Sequence, residues 1–213
     1  RHSFPTRRSS DLVSLTPVKN FEFRSQAGVT WVDYYRESYI KPNSILDQYV
    51  GDPAARGSKT DNGYQSFNYV FSNTINYNNT IADKHNIRAL VGVEYTNDNY
   101  RSFSFGTKGF PNGKVNTQDN ASTPVSATSA KTDWSLFSLF GRVGYDFNQR
   151  YFLDASIRRD GSSRFGINNK WGTFPSVSAG WRLSEEDFMK PITWINDLKL
   201  RASFGYTGNP NVP

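Results

Sequence analysis

Leu198-Lys199-Leu200-Arg201-Ala202-Ser203-Phe204-Gly205-Tyr206 puts its apolar side chains on one parity and its charged or small polar ones on the other. In an extended chain that parity is a physical face, because successive side chains point to opposite sides of a sheet. The alternation recurs in Phe137/Leu139/Val143/Tyr145/Phe147, in Tyr151/Leu153/Ala155/Ile157 and in Val177/Ala179/Trp181/Leu183. Such strands build either a soluble sandwich, with the apolar parity packed inward, or a membrane barrel, with it turned out to lipid.

Composition narrows the choice. Of 213 residues, 36% are hydrophobic, and the mean hydropathy is -0.65. No stretch approaches the roughly 20 apolar residues of a membrane helix. A barrel is untouched by that test, since its lipid face takes only every second residue. Aromatics reach 15%, with 12 Tyr and 16 Phe, and amphipathic rings gather at membrane interfaces. The absence of Cys removes disulfides, thiolate catalysis and Cys-based metal sites. A net charge of +6 without a dense basic run gives no support to nucleic-acid binding.

The first twelve residues, Arg1 to Leu12, show no periodicity and lack the apolar core of a signal peptide. They resemble translated sequencing-adapter read-through and are expected to be non-native, leaving 13–213 as the part that carries the fold. The one methionine is Met189, and the chain closes on Asn209-Pro210-Asn211-Val212-Pro213. The expectation is a piece of a longer protein.

The pattern predicts about seven strands, most of them at or above the ~9–11 residues that cross a bilayer when tilted. They cover Val18–Tyr39, Tyr64–Asn79, His85–Phe105, Trp134–Phe147, a fifth from Tyr151, Phe174–Leu183 and Leu198–Tyr206. Asn73 interrupts the apolar parity of the second. Polar loops fill Lys41–Gly63 and Gly106–Asp133, and Asp160-Gly161-Ser162-Ser163 opens another, reaching Thr173. Asn148-Gln149-Arg150 reads as a tight turn. Ser184-Glu185-Glu186-Asp187 is a capping-box pattern that predicts a short helical turn and a solvated acidic cap.

Connections after the first, third and fifth strands read as long, and the intervening ones as shorter. Outer-membrane barrels have this asymmetry, with short periplasmic turns and long extracellular loops. Arg24, Arg88, Arg142, Arg158, Arg182, Lys199 and Arg201 all fall on the polar parity. An Arg or Lys facing lipid at the midplane costs about 2–4 kcal/mol, so a barrel keeps such residues inside or near a rim. A soluble sheet would also place charges on its wet face. Strand length favours the membrane, since soluble strands average about 5–6 residues.

Catalytic material is scarce. His2 lies in the set-aside segment, and His85 sits at a turn where a solvated surface role is expected. No Ser-His-Asp triad or two-His metal site can be assembled from this inventory. Glu22, Glu94, Asp146 and Asp154 share the polar parity, where neutralising neighbouring Arg residues is the plain role. Gly109-Phe110-Pro111-Asn112-Gly113-Lys114 has the wrong spacing for a phosphate loop. No catalytic residue, metal site or cofactor is expected. Rings near loop bases, Tyr49, Tyr64, Phe110 and Trp171, are the candidate substrate-binding residues, with interfacial anchoring as the alternative.

From Leu139 onward the residues are more specific. Phe140-Gly141-Arg142-Val143-Gly144-Tyr145-Asp146-Phe147, then Tyr151 through Asp160-Gly161-Ser162-Ser163-Arg164-Phe165-Gly166, resembles the SusC/RagA-type TonB-dependent outer-membrane transporters. The likeness continues through Trp171-Gly172-Thr173-Phe174-Pro175-Ser176-Val177-Ser178-Ala179-Gly180-Trp181-Arg182-Leu183-Ser184-Glu185-Glu186 and through Leu198 to Asn209. The resemblance implies an all-β fold, an antiparallel transmembrane barrel of about 22 strands with an N-terminal plug. It further implies a cell outer membrane location, surrounding membrane lipid, and energy from the TonB complex through an N-terminal region outside this chain. A SusD-like surface lipoprotein would act as a lid, and oligosaccharides or peptides would be imported. No functional residue carries over, because these segments mark strands and turns. The reading is therefore a barrel portion of an active importer, not an enzyme. A secreted soluble β-sandwich that binds carbohydrate is the alternative, and a passive porin-like barrel a third possibility.

Overall fold

Aromatic and β-branched residues at every second position favour extended backbone, and short turns containing Asn or Asp connect several of the segments. The computed structural model describes residues 6–165 and 170–208. Among these residues eight strands form: β1 (Arg7–Val18), β2 (Phe21–Ile40), β3 (Ser58–Ile81), β4 (His85–Lys108), β5 (Thr123–Phe147), β6 (Tyr151–Ser162), β7 (Trp171–Arg182) and β8 (Lys199–Gly205). A short helix, α1 (Ile45–Val50), lies between β2 and β3. One antiparallel sheet has the order β1 to β8, each strand hydrogen-bonded to its neighbours in sequence.

Eight strands stand where about seven are expected. The additional one is β1, which begins inside the stretch set aside as non-native and is exposed throughout. His2 and the terminal 209–213 loop lie outside the described residues, as does 166–169 of the β6–β7 connection. The long strands also exceed expectation, β3 and β4 having 24 residues and β5 having 25. Their loop-ward ends carry polar residues on both parities. There, ladder hydrogen bonds and ion pairs extend the chain without apolar alternation.

The connection over 41–57 is long and that over 82–84 short; the one over 109–122 is long and that over 148–150 short. Ala82, Asp83, Asn148 and Gln149 all have φ between 51° and 56°, the left-handed pairs that match strand twist in tight hairpins. The last pair departs from the expected asymmetry. The β7–β8 connection over 183–198 is longer than the β6–β7 connection over 163–170, because it accommodates two 3-10 turns, Leu183–Glu185 and Asp187–Met189.

Contacts divide the chain into two units, each described by itself. The first comprises Val29–Tyr69 and Asp98–Asp133 with the N-terminal residues; the second comprises Ser10–Gly28, Val70–Asn97 and Trp134–Pro213. In the first, a buried carboxylate organises the long loop. Asp47 is 0% exposed and accepts hydrogen bonds from the backbone N–H of Asn43 and of Gly57, each at 2.8 Å. Ser44 caps α1, its Oγ accepting from the Asp47 N–H at 3.2 Å. Gly57 and Gly109 have φ of +77° and +82°, a region open to glycine, and the Gly109 N–H donates to the Gly57 carbonyl at 3.0 Å. Lys59, also buried, donates from Nζ to Glu37 at 3.0 Å and to the Asn116 carbonyl at 2.5 Å.

In the second unit the usual burial order is inverted. Val143, Leu153, Ile157 and Phe204 on the apolar parity are 53%, 52%, 54% and 65% exposed, while Ser138, Asp146 and Ser162 on the other parity are buried. A sandwich would pack a second sheet against that apolar parity. All eight strands here belong to one sheet, so the soluble sandwich is not supported.

Candidate functional site

In the second unit, aromatic residues stand ten positions apart on the apolar parity of two strands, Phe137 and Phe147 in β5 and Trp171 and Trp181 in β7; the same ten-residue spacing recurs in the sequence at Phe21/Trp31 and Phe67/Tyr77. Ten residues at ~3.4 Å span about 34 Å along a strand, and a tilt of about 40° reduces this to about 26 Å across the sheet. The apolar band of a transmembrane barrel is about 25 Å tall and bounded by aromatic girdles. The spacing matches that height and serves as a ruler for the band.

The row at the turn end is built from side-chain contacts within the second unit. Phe147 stacks on Tyr151 and Tyr151 on Trp181, both at 6.4 Å between ring centroids, and Phe188 meets Trp181 edge-on. Glu186 fastens the row, accepting from Tyr151 Oη at 2.6 Å and from Trp181 Nε1 at 3.0 Å. Those two bonds, the tyrosine's first, hold its carboxyl below the ordinary value. Phe21 packs on Tyr77 at 4.8 Å. His85, expected to be solvated, instead places Nδ1 2.8 Å from Tyr145 Oη and its ring 4.9 Å from Phe147.

The row at the loop end pairs Phe137 with Gly161 and Gly161 with Trp171 in register. Trp171 meets Phe137 edge-on at 6.2 Å and covers Gly161, where an added Cβ would lie 3.0 Å from the indole. Arg159 is on this parity too. Its guanidinium sits over the Trp171 ring at 5.1 Å, one row inside the girdle.

The opposite parity carries the charges, and most are paired. Arg158 donates to Asp160 at 2.8 Å, to Ser138 at 2.8 Å and to Glu94 at 3.2 Å. Arg142 donates to Asp154, and Asn86 to Asp146, each at 2.9 Å. Phenylalanines occur here as well: Phe140 lies beneath Arg158, and Phe152 beneath Arg182 and Lys199. A recess of about 710 Å³ opens at the turn end between Lys19, Asn78, Arg88, Asp146, Phe152 and Arg182. Such a surface is wettable and carries mostly paired charges. Among the described residues no cluster of three or more His, Cys, Asp or Glu could hold a metal, and no helix is long and apolar enough to cross a membrane.

The four candidate rings occupy different surroundings. Tyr49 is on α1 and 85% exposed. Tyr64 is in β3, stacked between Tyr34 at 5.2 Å and Tyr100 at 5.6 Å; all three share the polar parity. Beside them a 370 Å³ recess is lined by Asn62, Ser102, Ser104 and Thr128. Phe110 is 5% exposed, edge-on to Tyr39. Trp171 belongs to the loop-end row. The 184–187 pattern does form helical turns, but Ser184 Oγ donates to Asp197 and makes no cap. The residues missed by sequence reading, the ten-residue rows and Asp47, had signals: a fixed spacing, and the same Ser-x-x-Asp pattern at Ser44.

Known proteins place this geometry. The family described as TonB dependent receptor-like, beta-barrel matches residues 5–212. The TonB-dependent receptor P39 of Formosa agariphila is 42% identical over 149 residues, covering 68% of this chain and 14% of that protein. The TonB-dependent receptor SusC of Bacteroides thetaiotaomicron is 46% identical over 85 residues, 40% of this chain and 8% of SusC. A solved structure of the RagAB peptide transporter superposes with a TM-score of 0.87 at 27% identity, over 97% of this chain and 23% of that one. The chain thus spans a small part of the length of each relative.

Proposed function

The chain belongs to the TonB dependent receptor-like β-barrel family, and from that membership we propose that its parent protein is an outer-membrane importer of glycans or peptides, not an enzyme. The apolar parity faces lipid and the charged parity lines the lumen. Uptake is energised by the TonB complex through a region outside this chain, and a SusD-like surface lipoprotein covers the barrel of about 22 strands. The observation that carries the reading is the ten-residue spacing of aromatics on a parity that holds Val143, Leu153 and Val177 between its rows. Tyr64 with its stacked neighbours Tyr34 and Tyr100, and the exposed Tyr49, are the proposed substrate contacts at the loop end. Phe110 and Trp171 present less ring to a lumenal ligand, the first by burial and the second by parity.

The test is made on the full-length parent. Outer-membrane fractionation and heat-modifiable gel mobility are expected, and deleting the gene should abolish growth on one class of oligosaccharide or peptide. Normal growth of a TonB-defective strain on that nutrient would overturn the active mechanism. A parent recovered in the soluble fraction would overturn the barrel.

A further inference from the structure

On the apolar parity of the second unit a groove of about 500 Å³ is lined by Phe23, Ile75, Val91, Leu139 and Ile157, with Arg159 among its walls. Phe23 and Ile75 are each two residues from the turn-end row, at Phe21 and Tyr77; Arg159 is two residues from the loop-end row, at Gly161. The groove therefore crosses most of the apolar band obliquely. Its wall at Gly141 is open: an added Cβ would find only ordinary contacts, 3.7 Å from the Leu90 carbonyl and 3.8 Å from Val91.

Arg159 is the anomaly. Its register neighbours on this face are Leu139 and Thr173, and it forms no ion pair among the described residues. The adjacent Arg158 takes both Glu94 and Asp160. A cation on a lipid-facing parity is tolerated near the interface, where its stem lies along apolar surface and its head reaches polar headgroups. Stacking on Trp171 at 5.1 Å fixes the guanidinium plane and leaves its edge for a bidentate acceptor.

We propose that this groove holds an acyl chain of a phosphorylated outer-leaflet lipid, with the headgroup phosphate on Arg159. One cation at one end of a furrow that is apolar apart from Asn73 and Thr74 matches an amphiphile with an anionic head. A protein segment docking by strand addition needs a free sheet edge, which β3 to β6, paired on both sides, do not offer. The inference rests on the apolar parity facing lipid.

The experiment uses the full-length parent purified in detergent, with retention of monophosphoryl lipid A and of its phosphate-free form read by native mass spectrometry. The phosphorylated lipid is expected to be retained and the phosphate-free one to bind about tenfold more weakly. Arg159→Gln should abolish that preference, Arg159→Lys should keep most of it, and Gly141→Leu should reduce retention of both lipids by filling the furrow. Lys131→Gln, which removes a loop-end cation already paired to Asp133, should change nothing. Equal retention of the two lipids, or a loss with Lys131→Gln as large as with Arg159→Gln, would overturn the site. Should Arg159→Gln lose heat-modifiable mobility, Arg159→Lys and Gly141→Leu still decide the question. A parent that never enters the membrane would instead overturn the underlying reading of the face.

Discussion

Val177 and Ser178 are consecutive in β7 and differ chiefly in parity, so an arginine at each measures which face meets lipid. Val177 is 47% exposed and pairs with Ala155 on one side and Phe204 on the other. It lies four residues from Trp181 and six from Trp171. At ~3.4 Å per residue and a tilt of about 40°, those separations become about 10 Å and 16 Å, within about 3 Å of the midplane. Arginine there should cost about 2–4 kcal/mol of unfolding free energy. Ser178 pairs with Asp154 and Ser203, so Ser178→Arg meets a carboxylate and polar surroundings and should change stability by less than about 1 kcal/mol. Thr173→Arg, in the row that already holds Arg159, should fall to about 0–1 kcal/mol. The assay is guanidine unfolding of the full-length parent reconstituted in vesicles. Equal losses for Val177→Arg and Ser178→Arg, or a loss at Thr173 matching that at Val177, would refute the ruler.

Other expectations follow from single contacts. The Asp52 carboxyl is held below its ordinary value of 3.8, first by the hydrogen bond from Lys108 Nζ and then by the Ala54 N–H. A folded value below the unfolded one means that this clasp contributes fully above about pH 4 and fades as pH falls through the lowered value. Limited proteolysis within 41–57 should therefore accelerate only below about pH 4, and Lys108→Gln should remove that step. Asp47→Ala leaves the Asn43 and Gly57 N–H groups without their acceptor; about 1–3 kcal/mol of local protection should vanish in hydrogen exchange of those amides. A methyl on Gly63 would lie 2.4 Å from the Tyr34 carbonyl oxygen, whereas one on Gly28 meets nothing within 4 Å. Gly63→Ala should destabilise the parent by about 1–3 kcal/mol and Gly28→Ala by under about 0.5 kcal/mol, with equal effects counting against the β2–β3 packing.

Alternation made β5 to β8 legible because each core position there chooses between two solvents, and side-chain polarity follows the choice. The loop-ward ends of β3 and β5 look like loops in the sequence because nothing greasy alternates there; Lys59 and Asp61 are held by ion pairs and backbone ladders, which leave no period. Phe140 and Phe152 lie on the charged parity because they pack beneath Arg158, Arg182 and Lys199, a contact invisible to a binary reading. Asp47 is hard to single out because acidic residues in a Pro- and Gly-rich loop are ordinarily solvated. Asn73, an apparent flaw in the apolar parity, lines the groove that ends at Arg159. The candidate rings were half legible: their positions near loop bases follow from the turns, but which parity each ring takes depends on where its strand begins.

The strand order governs how errors and novelty spread along the molecule. Every strand pairs with its sequence neighbours, so each register is written locally and no distant segment has to be found first. One residue inserted in the middle of β6 would swap the faces of everything after it in that strand, turning Arg158 toward lipid. The damage would stop at the following connection, where β7 regains its own alignment from Trp171 and Trp181. Lengthening 41–57 or 109–122 disturbs no row at all, since closing a longer loop costs little. Mutational drift is thus steered to one end of the protein, and what the loops meet can change while the wall that seats them stays the same.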